Sequence, residues 1–317
     1  MIYLRISNGL GNQMFEYAFG RQLQTIYHMP LVLESVRYYD IVEVVRPVGT
    51  EKKRKFLLEQ LSIPVGDVSL GENGCVIAKG FQNISIAIRS FVKRHWAERV
   101  KRIPQTGADG YSQMIKRGIY ATNDLISYYP FEKTSAKNIF VHGWFMSEKY
   151  FQDIAPTIKK ELRVKEENIS SDEVHHLADT MLRENSVCVH IRRGDYIGHP
   201  RFDVCTEAYY HRAVDLIREQ VEKPVFYVFS NSPMELDWIR EHYPFLEDAH
   251  FVKESKNELD DLFLMYHCRH HIISNSTFSW WGSYLKYQQG MTICPERWLN
   301  DKMQQDILLD DWIKLPV

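Results

Sequence analysis

Val187-Cys188-Val189-His190-Ile191-Arg192-Arg193-Gly194-Asp195-Tyr196 begins as a nearly unbroken apolar run and ends in a cluster of charge. A run of this length with no alternation predicts a strand covered on both faces, the habit of parallel sheets. Helical spacing precedes it over 172–185, with Ser171 as a candidate N-cap, and follows it over 206–222. The alternation then continues: strand 225–229 ending at Ser230-Asn231, helix 233–243, strand 250–252, helix 258–268, strand 271–274, a helix near 280–287 and strand 292–294. Five strands alternating with helices predict a doubly wound α/β domain, in which ligands gather at the carboxyl ends of the strands.

The amino-terminal half repeats the theme less cleanly. Residues 2–6 predict a strand, Ser7-Asn8-Gly9-Leu10-Gly11-Asn12-Gln13 a glycine-bearing turn, and 14–27 a helix. Strands are expected at 31–33 and 139–145, and a helix over 147–162 that Ser147 caps and Pro156 kinks or divides. The stretch 36–130 has weak periodicity and does not order its elements. The boundary falls near 160–172, giving expected domains 1–165 and 166–317. The 317 residues favour two domains, because single cores stop growing near roughly 250–300 residues.

Composition narrows the function. Net charge is −2, from 39 Lys+Arg against 41 Asp+Glu, which excludes nucleic-acid binding by a global basic field. Five Cys with no C-x-x-C pair argue against a disulfide framework or a structural zinc site. No secretory leader and no run of about 18 apolar residues is present, so a cytoplasmic protein is expected. Residues 89–102 (RSFVKRHWAERVKR) are strongly basic with interleaved apolar side chains. They fit either a solvated helix face or peripheral contact with the anionic inner face of a membrane.

Polar residues collect at three predicted strand ends. His190 and Arg192 fall on one face of their strand and Arg193 on the other. An arginine fork there suits phosphate oxygens, with Asp195 to orient it, although a structural Arg–Asp pair beside a buried histidine reads equally well. Asn275, Ser276, Thr277 and Phe278 lie where a strand turns into a helix, whose free N–H groups and partial positive charge favour an anion; a simple N-cap is the alternative. Ser230 and Asn231 form the third cluster, which a helix cap alone would also explain. The Gly9-Leu10-Gly11 turn lacks the third glycine of a dinucleotide fingerprint.

Taken in order, G-L-G-N-Q-M-F-E-Y-A at 9–18, H-I-R-R-G-D-Y at 190–196, F-S-N-S-P-M-E-L-D-W-I at 229–239 and I-I-S-N-S-T-F-S-W-W-G at 272–282 resemble the α-1,2-fucosyltransferases of glycosyltransferase family eleven. The resemblance implies two Rossmann-like domains in the glycosyltransferase B architecture, with GDP-fucose held chiefly by the carboxyl-terminal domain and the acceptor sugar in the cleft. It implies inverting, metal-independent transfer of L-fucose to the 2-hydroxyl of a terminal galactose, on an oligosaccharide or a lipid-linked glycan, with no cofactor. The absence of Asp-x-Asp at a strand end agrees with this. By the same resemblance Arg192 neutralises the departing β-phosphate, Ser276, Thr277 and the Phe278 N–H share its oxygens, and His190 faces the fucose or the diphosphate. Asp261 is placed to read guanine, with a helix-terminal acid as its alternative. Asn12 matches an asparagine that faces the reacting centre in the similar protein O-fucosyltransferases; an amide is no strong base, so Asn12 is expected to orient the acceptor hydroxyl or the leaving oxygen, with Glu16 the alternative carrier of a base. Tyr196, Trp144 and Trp281 are candidate sugar-stacking rings or buried core.

Overall fold

The computed structural model describes residues 1–34, 55–66, 75–78, 108–122, 126–301 and 305–317. The basic segment 89–102 and most of the poorly patterned stretch 36–130 lie outside these residues. The chain divides into two compact units, Met1–Leu162 and Arg163–Val317.

The first unit contains β1 (Ile2–Arg5), α1 (Leu10–Tyr27), β2 (Leu31–Glu34), β3 (Cys75–Ala78), α2 (Ala108–Lys116), β4 (Ile119–Ala121), β5 (Ile139–His142) and α3 (Ala155–Glu161). Its described strands form a parallel sheet in the order β3-β2-β1-β5-β4. Two expectations need correction here. Helix α1 begins at Leu10 and not at 14, because Asn8 makes the reversal itself at φ 63° and leaves Gly9 extended as the N-cap. Asn12 therefore stands in the first helical turn. The helix expected over 147–162 is split into two short 3-10 turns and α3, with Pro156 in the first turn of α3, where its missing N–H costs nothing. Ser147 does cap, accepting from the Lys149 N–H at 3.3 Å.

The second unit runs α4 (Asp172–Arg183), β6 (Ser186–Ile191), α5 (Glu207–Gln220), β7 (Val225–Ser230), α6 (Pro233–His242), β8 (His250–Phe251), α7 (Glu258–His267), β9 (His270–Ile272), α8 (Thr277–Tyr284), β10 (Thr292–Pro295) and β11 (Ile313–Leu315). All six residues of β6 are buried, as an apolar central strand requires. The sheet is wholly parallel in the order β11-β10-β9-β6-β7-β8. The chain thus winds outward from β6 to β8, returns to β9 beside β6, and winds outward again to β11. The order reverses between β6 and β9, the place where doubly wound sheets open a crevice. Register makes the ends level, since Ile191 pairs with Ser230 and Val189 with Ile272. Helix α8 starts at Thr277, three residues earlier than the spacing suggests, so Ser276 is its N-cap. Ser171 occupies the N-cap of α4 without bonding to it.

Candidate functional site

At the β6/β9 reversal the chain places His190, Arg192, Asp195, Ser276, Thr277 and Phe278. Arg192 donates from Nη2 to Asp195 Oδ1 at 2.6 Å, and its guanidinium carbon lies 5.0 Å from the centre of the Tyr196 ring. Gly194, at φ 61°, turns the backbone so that Asp195 can reach back three residues; a side chain there would be strained and would press on Asn231 Nδ2 at 3.2 Å. Arg192 Nε is buried and has no hydrogen-bond partner. An N–H of a permanent cation left unsatisfied inside a protein is costly unless a ligand completes it.

Beside it, His190 is 4% exposed. Its Nδ1 lies 2.6 Å from Ser279 Oγ and 3.2 Å from Ser274 Oγ, and its ring centre is 6.0 Å from that of Phe278. Burial, reinforced by the Arg192 charge, pushes its pKa down to about 3, so the ring is neutral at physiological pH. The Ser276 hydroxyl makes no cap bond to α8. Neutral His190, cationic Arg192 and the amino end of α8 form an arrangement suited to phosphate oxygens.

The other expected residues divide. Ser230 donates to the Ile191 carbonyl at 2.7 Å, and Asn231 accepts from the Arg193 N–H at 3.3 Å and donates to the Arg193 carbonyl at 3.4 Å. Both fasten the main chain on either side of Arg192. Asn275 is buried and donates to the carbonyls of Phe202 and Trp298, at 3.0 and 2.9 Å, which ties the loop after β6 to the segment after β10. Asp261, half-buried on α7, has its pKa raised to about 7, chiefly by burial and further by the neighbouring Asp260 and Glu258, against a lowering hydrogen bond from Ser255. Its neighbour Asp260 is fully buried and accepts from the N–H groups of Ser170 and Lys256 at 3.0 and 2.9 Å, a structural role.

Asn12 is half-buried on α1 of the first unit. Glu16 is buried, and its two carboxylate oxygens accept from the Ser7 N–H (2.8 Å) and hydroxyl (2.6 Å), so it braces the β1–α1 turn. Trp281 is wholly buried among Trp280 and Tyr284 and is core. Tyr196 and Trp144 stay half-buried. Sequence reasoning passed over Ser279 because its link to His190 spans 89 residues; its place at i+5 from Ser274 was the only local signal. Among the described residues no cluster of His, Cys, Asp or Glu is arranged to hold a metal ion, and no helix is long and apolar enough to cross a membrane.

An unsatisfied arginine N–H beside a helix start, at the topological reversal of a doubly wound sheet, is an arrangement suited to an anionic ligand. The chain belongs to glycosyl transferase family 11, whose profile matches residues 120–316. It is therefore a glycosyltransferase. It is 27% identical to an alpha-1,2-colitosyltransferase of Escherichia coli over 312 residues, covering 95% of this chain and 93% of the relative. It is 25% identical to the O-antigen biosynthesis glycosyltransferase WbnK of Escherichia coli over 326 residues, covering 99% and 100%. Galactoside alpha-(1,2)-fucosyltransferase 1 of Leontopithecus chrysomelas is 30% identical over 139 residues, 40% of this chain and 37% of that one.

Proposed function

We propose that this enzyme transfers L-fucose from GDP-fucose to the 2-hydroxyl of a terminal galactose on an oligosaccharide or lipid-linked glycan, forming an α-1,2 linkage with inversion and without a metal or cofactor. In this reading the two units form a glycosyltransferase B pair, 166–317 binding GDP-fucose and 1–165 the acceptor. Arg192, held in aim by Asp195, donates from its unpartnered Nε to the β-phosphate as negative charge builds there on bond breaking. Ser276, Thr277 and the Phe278 N–H take further phosphate oxygens, and His190 donates a neutral hydrogen bond. Asp261 accepts from guanine N1–H and N2–H. Asn12, an amide and no base, orients the incoming hydroxyl. Ser230, Asn231 and Asn275 act through the backbone they hold.

The buried, unsatisfied Arg192 Nε at the sheet reversal carries this reading. Arg192→Ala should lower kcat for GDP-fucose about 10²–10³-fold, the usual cost of one such donor, while leaving the melting temperature unchanged. Arg192→Lys should recover little, because an ammonium cannot present the same fork. An Ala variant that turns over at the wild-type rate would remove the proposed role.

A second donor is favoured by the colitosyltransferase relative, which aligns with 95% of the chain. Colitose is fucose without its 3-hydroxyl. A site built to hydrogen-bond that hydroxyl rejects the deoxy sugar by about 10⁴–10⁵, whereas one that leaves it unread accepts both. Competing GDP-fucose against GDP-colitose on one galactoside decides between the two.

A further inference from the structure

We infer that Ser279 is a positioning residue: it fixes His190 in the tautomer whose proton is on Nε2, so that the histidine meets the nucleotide sugar as a hydrogen-bond donor. The role toward the sugar rests on the function proposed above; the tautomer does not.

The observation is the order of bonds around Nδ1. Ser279 Oγ accepts the Ser274 N–H at 3.2 Å, which occupies one of its lone pairs, and it lies 2.6 Å from His190 Nδ1 and 3.1 Å from Ser274 Oγ. A separation of 2.6 Å is below the usual ~2.7–3.2 Å of an N–H donor and within the ~2.5–3.0 Å of a hydroxyl donor. The Ser279 proton therefore points at Nδ1, the best acceptor within its reach. Ser274 Oγ, 3.2 Å from the same nitrogen, offers a second hydroxyl and no better acceptor. Nδ1 thus carries the lone pair and Nε2 the proton, since burial and the Arg192 charge exclude the imidazolium.

Nε2 has no hydrogen-bond partner among the described residues. Two residues along the same strand face, Arg192 Nε–H is also unpartnered. With the other tautomer a nitrogen lone pair would stand beside a site otherwise made of donors and would repel a phosphate oxygen. Ser279 sets the sign of the histidine's contribution from a position where it is itself wholly buried.

The test is nitrogen NMR on the full chain labelled with ¹⁵N-histidine, with the His190 signals assigned by their loss in His190→Gln. In the wild type, Nδ1 should resonate in the unprotonated, pyridine-like range and Nε2 in the protonated range. In Ser279→Ala the two should exchange or average, and kcat with the sugar nucleotide should fall at least tenfold. Ser279→Thr, which keeps the hydroxyl, should restore both tautomer and rate. A wild-type ring protonated on Nδ1 overturns the proposal without any variant having to fold. A folded Ser279→Ala enzyme of undiminished kcat overturns the positioning role. A wild-type chain with the expected tautomer but no transfer from GDP-fucose or GDP-colitose to any galactoside overturns the role toward the sugar through the function it rests on, and leaves the tautomer standing.

Discussion

Arg192 and Arg193 are adjacent and chemically identical, yet the pleat sends them to different work. Arg193 Nε donates to Glu235 Oε2 at 2.7 Å, and its guanidinium lies 3.2 Å from the centre of the Trp238 ring. Both charges are largely buried, so Arg193 holds α6 to the end of β6. Asp261 makes a sharper case for reading a residue by its surroundings. Its pKa is raised to about 7, by burial first, so near neutral pH half of the free enzyme carries the carboxyl protonated. Guanine N1–H and N2–H both need an acceptor, hence the ionised form. On the guanine role proposed for Asp261, GDP affinity should rise as pH increases through 7 and level off above about 8, and Asp261→Asn should flatten that profile. Calorimetric titration of GDP from pH 6 to 8.5 measures this, and a flat wild-type profile would remove Asp261 from guanine recognition.

Helices and strands were legible where burial alone dictates them and were displaced where hydrogen bonds do. Strand β6 and its neighbours follow from apolar runs, and the strand ends fall within a residue or two of the structure. Helix α1 starts early because Asn8 takes the left-handed conformation, and no apolar spacing reports a backbone dihedral. Asn257, with Oδ1 accepting from the Leu259 and Asp260 N–H groups at 2.8 and 3.2 Å, is a true cap, whereas Ser171 is not; both residue types suit the position. Strand β11, three residues around a lysine at the sheet edge, is too short to leave a pattern. At the site, polar residues at strand ends were legible as a group. Which of them face a ligand was not, because Ser230, Asn231 and Asn275 bond the main chain and nothing in their identity says so. Packing at the opposite end of the sheet supplies a prediction of its own. A Cβ on Gly290, just before β10, would lie 2.1 Å from the Arg269 carbonyl oxygen, and Arg269 is itself pinned by Ser186, Gln288 and Asn185. Gly290→Ala should cost about 1–3 kcal/mol by overpacking, read as a lower denaturant midpoint, with kcat unchanged because the site is at the other edge.

Over the whole chain, the buried titratable groups described in the two units predict opposite responses to acid. The second unit holds four neutral histidines: burial first, then the neighbouring cations, lower His190 and His271 to about 3 and His267 and His270 to about 4. An unfolded chain protonates histidine near pH 6.5, so between that value and about 4 the unfolded state binds more protons and stability is lost as pH falls. Asp261 works against this. Its carboxyl takes a proton near 7 when folded and near 3.9 when unfolded, which favours the folded state on acidification. One carboxyl against four imidazoles leaves a net loss. In the first unit burial raises Glu16 well above its ordinary value, outweighing its bonds from Ser7, so acidification favours that fold. Each uncompensated proton is worth about 1.4 kcal/mol per pH unit, so even one, carried from pH 6.5 to 5, removes about 2 kcal/mol of a domain stability that is ordinarily about 5–15 kcal/mol. Hydrogen exchange at pH 7 and pH 5, corrected for intrinsic rates, should show protection falling in β6, β7 and β9 while β1 and β2 hold theirs. Equal loss in both units, or loss confined to the first, would mean that the buried histidines do not govern acid stability.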